Sequence, residues 1–129
     1  MDLIFATNNI NKINEIRQII PAGFNLITLH EAGIKIDIPE PHDTLEENAS
    51  EKSTVIHQLT GKNVFSEDTG LEVVALNGEP GVKSARYAGD DRNFQANIQK
   101  LLTSRINSAS IQPIFWQKIL FFSVFCGRL

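Results

Sequence analysis

Two lysines and a few acids are the residues of this chain best suited to chemistry on an anion. Thr7-Asn8-Asn9-Ile10-Asn11-Lys12 follows an apolar run and opens a helical pattern. A helix that starts directly after a strand presents free backbone N–H groups and the positive end of its dipole, and both attract anions. Asn9 and Lys12 stand three residues apart, so an amide and an ammonium on one side of the first turn can meet one phosphate. The run has neither the glycines nor the Gly-Lys-Ser/Thr ending of a Walker loop. An N-capped amphipathic helix with an exposed lysine accounts for the same residues without any ligand. Lys52 falls within a helical apolar stripe, between Ala49 and Ile56. An ammonium there is costly unless it reaches water or an anion. It either snorkels at the stripe's edge or points into a cleft to meet a phosphate or carboxylate.

The acids divide by setting. Glu40 is held between Pro39 and Pro41, and a carboxylate fixed in so stiff a loop suits magnesium. That ion takes one or two carboxylates and completes its shell with water and phosphate oxygens. Glu67-Asp68-Thr69-Gly70 reads as a polar turn at a strand end, where α/β proteins place their sites. Glu67 and Asp68 are adjacent, so in an extended chain their side chains diverge and at most one faces a given cleft. As isolated features, such acids are more often solvated. Glu47 is explained by the capping box Thr44-Leu45-Glu46-Glu47. His30, His42 and His57 have no ligand spacing and no neighbouring nucleophile, and no role is assigned to them.

The elements that must position these groups follow from periodicity. Leu3 to Thr7 reads as a buried strand, followed by a helix with Ile10, Ile13, Ile16, Ile19 and Ile20 on one face, capped by Asn8 or Asn9 and stopped at Pro21. Asn25 to Leu29 reads as a second strand, and the alternation of Ile34, Ile36 and Ile38 predicts a third. After Thr44 a helix lays Leu45, Ala49, Lys52, Ile56 and Leu59 along one stripe and ends at Gly61. Val64–Ser66 and Leu71–Leu76 are expected as two strands around the acidic turn, with a loop from Asn77 to Gly81. Asp90 or Asp91 is expected to cap a helix whose core face is Phe94, Ile98, Leu101 and Leu102. Alternating strands and helices give an α/β fold.

At 129 residues, with 42% hydrophobic and 21% charged residues, the chain has the composition of one globular domain. A single cysteine, Cys126, excludes an internal disulfide and a zinc site built on cysteine pairs. The apolar run from Ile119 to Phe125 is too short to span a bilayer, and no secretory leader opens the chain, so a cytoplasmic protein without a membrane partner is expected. A net charge of −3 is no footprint for nucleic acid. The charge is unevenly spread. All 15 acids lie at or before Asp91, whereas residues 93–129 carry Lys100, Arg105, Lys118 and Arg128 and no acid.

Three segments, in order, resemble the inosine triphosphate pyrophosphatase family (Ham1/RdgB-like). Phe5 to Lys12, with Glu15 a turn later, is similar to its N-terminal signature, and Glu67-Asp68-Thr69-Gly70-Leu71 to its acidic motif. Pro80-Gly81-Val82-Lys83-Ser84-Ala85-Arg86-Tyr87-Ala88-Gly89 resembles the loop of bacterial members, and the stretch from Glu40 through Glu47-Asn48-Ala49 to Lys52 also fits. The resemblance implies the N-terminal part of an α/β fold of the Ham1/Maf type, a mixed sheet with flanking helices. It implies magnesium-dependent hydrolysis of inosine, deoxyinosine and xanthosine triphosphates to the monophosphate and pyrophosphate, by a homodimer. In that scheme Thr7, Asn8, Asn9, Ile10, Asn11, Lys12 and Lys52 hold the triphosphate and Thr69 lies beside it. Glu40 and Asp68 bind the metal, and Asp68 is also the base. Arg86 is a weaker phosphate candidate that equally serves to pin its own loop.

The likeness runs from residue 2 to about 102, which sets apart residues 1–102, a nucleotide- and metal-binding part, from residues 103–129, an aromatic-rich tail expected as a strand or hairpin of the same domain. The family's later purine-gripping motifs, Phe-Gly-Tyr/Trp-Asp-Pro and Ser-His-Arg, have no counterpart, and Gln112-Pro113-Ile114-Phe115 only faintly echoes the first. Together with the missing acids, this predicts a shifted reading frame near Thr103 or a truncated gene. The rival expectation to hydrolysis is a non-catalytic fragment or nucleotide-binding module that binds triphosphate without turnover.

Overall fold

The computed structural model describes residues 1–104 in full and the backbone of 105–106 and 116–125. Its strands β1 (Asp2–Phe5), β2 (Asn25–Thr28), β3 (Val64–Val73), β4 (Pro80–Gly81) and β5 (Trp116–Phe125) pair in the order β2-β1-β3-β4, with β5 also on β3. The described residues form two compact units, one of residues 1–68 with β5 from Phe121 on, the other starting at Thr69.

In the first unit β1 (Asp2–Phe5) lies between β2 (Asn25–Thr28) and β3 (Val64–Val73), parallel to both, with Leu3 opposite Leu26 and Ile4 opposite both Ile27 and Val64. The connections are helical, α1 (Ile10–Ile19) after β1 and α2 (Leu45–Thr60) before β3. A parallel sheet is buried on both faces, and strand alternation sorts the side chains between them. Ile4, Ala6, Leu29, Ile38 and Val64 pack with Ile56 of α2. Phe5 and Phe65 pack with Ile13 of α1, their rings stacked at 4.4 Å between centroids. Along Val64–Asp68, even-numbered residues of β3 thus serve α2 and odd-numbered ones α1. Ser66 follows the rule, its hydroxyl donating to the carbonyl of Ala49 in α2.

Local chemistry sets the helix ends. Asn9 caps α1, its Oδ1 accepting from the N–H groups of Asn11 and Lys12 at 3.0 and 3.4 Å. Thr44 caps α2 by accepting from the Glu47 N–H at 3.2 Å, while Glu47 reaches back to the Thr44 hydroxyl rather than to its backbone. Gly61 ends α2 with φ at 64°, a left-handed conformation natural to glycine.

Several expectations from sequence are corrected. Ile10 and Ile19 are exposed and only Ile13 is buried on α1. Spacing by three turns each isoleucine about 60° back around a helix, so Ile10 and Ile19 end on opposite sides. Leu59 is likewise exposed. Residues 34–40 form no strand although Ile38 is buried, and the Ile36 carbonyl accepts from the Asn8 side chain at 3.2 Å instead of joining a ladder. The acidic segment is no turn. Val64 to Val73 is one continuous strand with Glu67 and Asp68 buried inside it.

In the second unit the later part of β3 pairs antiparallel with β4 (Pro80–Gly81), Leu71 opposite Gly81. α3 (Phe94–Ile106) holds the following loop: Asn97 donates to the Ala85 carbonyl at 2.9 Å and accepts from the Ala88 N–H at 2.7 Å, and Lys100 donates to the Tyr87 carbonyl at 2.6 Å. Asn93, not Asp90 or Asp91, accepts from the first turn of α3, through the Ala96 N–H at 3.0 Å. Phe94, Ile98 and Leu102, expected in a core, are exposed because no described element covers that face. The helix continues to Ile106, and Trp116–Phe125 forms β5. Residues 107–115 and 126–129, with Gln112 to Phe115 and Cys126, lie outside the described residues.

Candidate functional site

β3 brings two adjacent acids, Glu67 and Asp68, to two different lysines. Glu67 faces α1, where its carboxylate meets the Lys12 ammonium at 2.5 Å. Asp68 faces α2, where Oδ1 lies 3.2 Å from Lys52 Nζ. The same Nζ donates to Glu40 Oε1 at 3.1 Å, so one ammonium bridges two carboxylates from separate segments. Side-chain exposure is 8% for Lys52, 11% for Asp68 and 23% for Glu40. Water therefore screens these charges little, and each needs its partner.

Each side chain is placed by a different local device. Lys52 lies on the buried stripe of α2 with Leu45, Ala49 and Ile56, and it is aimed at acids rather than snorkelling out to solvent. Glu40 is presented by the loop entering α2. Asn48, 2% exposed, accepts from the His42 N–H at 2.9 Å and donates to the His42 carbonyl at 3.1 Å. Sequence reading left Glu67 without a role and gave Asn48 none beyond its place in a motif. The signal for Asn48 was its position one helical turn before Lys52 on the same face.

The opening segment of α1 is arranged by its own hydrogen bonds. Thr7 Oγ1 accepts from the Asn9 N–H at 3.2 Å, and Asn8 ties the segment to Ile36 in the stretch leading to Glu40. Ile10 and Asn11 are exposed at the first turn, and Lys12 is half-buried against Glu67. Lys12, Lys52, Glu40, Glu67 and Asp68 therefore belong to one unit. Thr69 and Arg86 belong to the second, Thr69 half-buried in β3 and Arg86 in a short helical turn whose backbone N–H bonds Lys83.

Among the described residues no three His, Cys, Asp or Glu side chains form a ready-made cage for a metal. Glu40 and Asp68 nonetheless converge on a single cation, the Lys52 ammonium. Two carboxylates are a donor set that magnesium accepts when water and phosphate oxygens complete its shell, so the chemistry of these residues fits that ion.

The parallel strands with their helical connections, and the lysine–acid pairs along the strand that carries the acidic motif, define an α/β protein with a buried charged cluster. Residues 3–114 match the Ham1 family, and the chain belongs to that family. It is 50% identical over 103 residues to the dITP/XTP pyrophosphatase of Flavobacterium psychrophilum, covering 80% of this chain and 54% of that protein. The dITP/XTP pyrophosphatase of Porphyromonas gingivalis is 52% identical over 100 residues, 78% of this chain and 52% of its own. The chain thus spans about half the length of these relatives. Among solved structures, the Staphylococcus aureus Ham1 protein superimposes with a TM-score of 0.75 at 34% identity, covering 96% of this chain and 70% of that one. A HAM1 protein from Coxiella burnetii gives 0.81 at 26% identity, with 97% and 71% covered. No helix among the described residues is long and apolar enough to cross a membrane.

Proposed function

We propose that the chain hydrolyses non-standard purine nucleoside triphosphates, such as the deoxyinosine and xanthosine triphosphates of its relatives' names, to the monophosphate and pyrophosphate. The observation that carries this reading is the convergence of Glu40 and Asp68 on Lys52, with Lys12 held by Glu67, the preceding residue of the same strand. Thr7 to Lys12 and Lys52 bind the triphosphate, and Thr69, next to Asp68 in the chain, lies beside it. Glu40 and Asp68 would hold magnesium, which when bound would neutralise phosphate charge and leave the α-phosphorus open to attack by water. Asp68 accepts the proton of the attacking water. Lys12 and Lys52 leave their carboxylates for phosphate oxygens and offset the charge that develops as pyrophosphate departs. The protein acts in the cytoplasm as a homodimer.

The test is pyrophosphate release by the 129-residue chain from inosine triphosphate with magnesium, against adenosine and guanosine triphosphates. Release selective for the inosine nucleotide supports hydrolysis. Saturable binding without release assigns the chain to the nucleotide-binding class instead, and the absence of both binding and release refutes the proposal.

A further inference from the structure

Among the holds on Glu40 and its loop, two are separable. Lys52 grips its carboxylate by charge. Two residues on, Asn48 takes both backbone groups of His42, a donor and an acceptor on one amide. Pro39 and Pro41 flank Glu40 and have no N–H to offer a ladder or a turn, so the segment cannot build a regular hydrogen-bonded structure of its own. The other hold on His42 is weak, a 3.4 Å contact from its ring to Glu51 with both side chains more than a third exposed. Asn48 is 2% exposed, and its amide has one orientation that satisfies both His42 groups. It stands one turn before Lys52 on the same face of α2, so one rigid helix carries both holds.

We propose that Asn48 is a positioning residue that keeps Glu40 facing Asp68 when Lys52 is elsewhere. A clamp made only by Lys52 would release the loop at the moment its ammonium left for a phosphate. A clamp on the backbone does not depend on that charge, so the carboxylate pair stays assembled for a divalent cation. This inference rests on the reading that Glu40 and Asp68 hold such an ion.

The test uses Mn²⁺ as probe and the whole 129-residue chain, with binding followed by calorimetric titration and His42 amide exchange followed by NMR without metal. Asn48→Ala speeds His42 exchange and weakens Mn²⁺ binding by about tenfold or more, the usual effect of losing a group that orients a metal ligand. Lys52→Ala lowers His42 protection no more than it lowers that of the other amides of the unit, the shared loss being global destabilisation. Asn48→Asp keeps the acceptor for the His42 N–H, retains most of that protection, and carries the test if the alanine variant does not fold. Because Asn48 acts through Glu40, Asn48→Ala adds no further loss of Mn²⁺ affinity in a Glu40→Gln background. Unchanged His42 exchange in Asn48→Ala overturns the clamp. Lost protection with undiminished Mn²⁺ affinity overturns the positioning role, as does a full additional loss in the Glu40→Gln background. Equal Mn²⁺ affinity in the native chain and Glu40→Gln refutes the metal reading itself, and the inference falls with it; the metal-free exchange data tell that failure from a failure of the clamp.

Discussion

Replacing Lys52 with alanine leaves the carboxylates of Glu40 and Asp68 facing each other with no ammonium between them. In the native chain that ammonium is 3.1 and 3.2 Å from the two acids, and all three side chains are less than a quarter exposed. Removing one partner from so buried an arrangement costs about 3–5 kcal/mol, since the charges left behind are neither hydrated nor neutralised. For a chain of this size each kcal/mol lowers the melting temperature by about 3–5 °C, so the variant is expected to melt about 10–20 °C lower. A divalent cation should reverse much of this, because the lysine no longer competes for the acid pair. At a concentration about a hundredfold above its dissociation constant, a bound ion restores about 2.7 kcal/mol. The assay is thermal unfolding by circular dichroism, native against variant, with and without magnesium. A variant melting within a few degrees of native, or one that magnesium stabilises no more than the native chain, refutes the idea that Lys52 neutralises a pair able to take a metal.

Three other outcomes are expected. Asp68→Asn should lower pyrophosphate release by about 10²–10⁴-fold if its carboxylate takes the proton of water, and near-native turnover would remove Asp68 from that role. Lys12→Ala should weaken triphosphate binding by the value of one charge-assisted contact, about 1.5–3 kcal/mol; titration with a labelled triphosphate measures it, and native affinity would exclude Lys12 from the site. At Glu31 the Thr28 backbone N–H, then the Thr28 hydroxyl, and Arg17 hold the carboxyl below its usual value of 4.5, against a smaller opposing effect of desolvation. Its stabilisation is therefore present above pH 4.5 and is lost as pH falls through the lowered folded-state value. Glu31→Gln should accordingly flatten the acid limb of the stability–pH curve, and an unchanged limb would show that the turn at Thr28 contributes nothing.

Part of the charged cluster was legible in the sequence. Residue types and spacing made Lys12, Lys52 and Glu40 candidates and left Glu67 and Asp68 as alternatives, between which only the family resemblance chose Asp68, and the helical wheel put Lys52 among apolar neighbours. Whether that lysine pointed inward depended on partners 12 and 16 residues away, which no local pattern reveals. The acidic segment was misread for the same reason. Glu-Asp-Thr-Gly has the composition of a turn, and lysines from both flanking helices help to make a buried strand of it tolerable. The alternation of Ile34, Ile36 and Ile38 misled in the opposite sense, since period two describes a strand only where a neighbour accepts its hydrogen bonds. On α3 the apolar stripe was correctly seen, but a stripe does not say what will cover it.

The assignment of Glu67 to α1 and Asp68 to α2 also makes β3 hard to misthread. Slippage by a single residue exchanges the faces of every side chain. Asp68 would then turn toward Lys12, Glu67 would be driven among the residues that pack on Ile56, and the Phe65 ring would leave its stacking partner Phe5. Two adjacent acids of nearly the same chemistry thus act as a key with one orientation, and the groups proposed to handle phosphate also dictate how the strand threads between its helices.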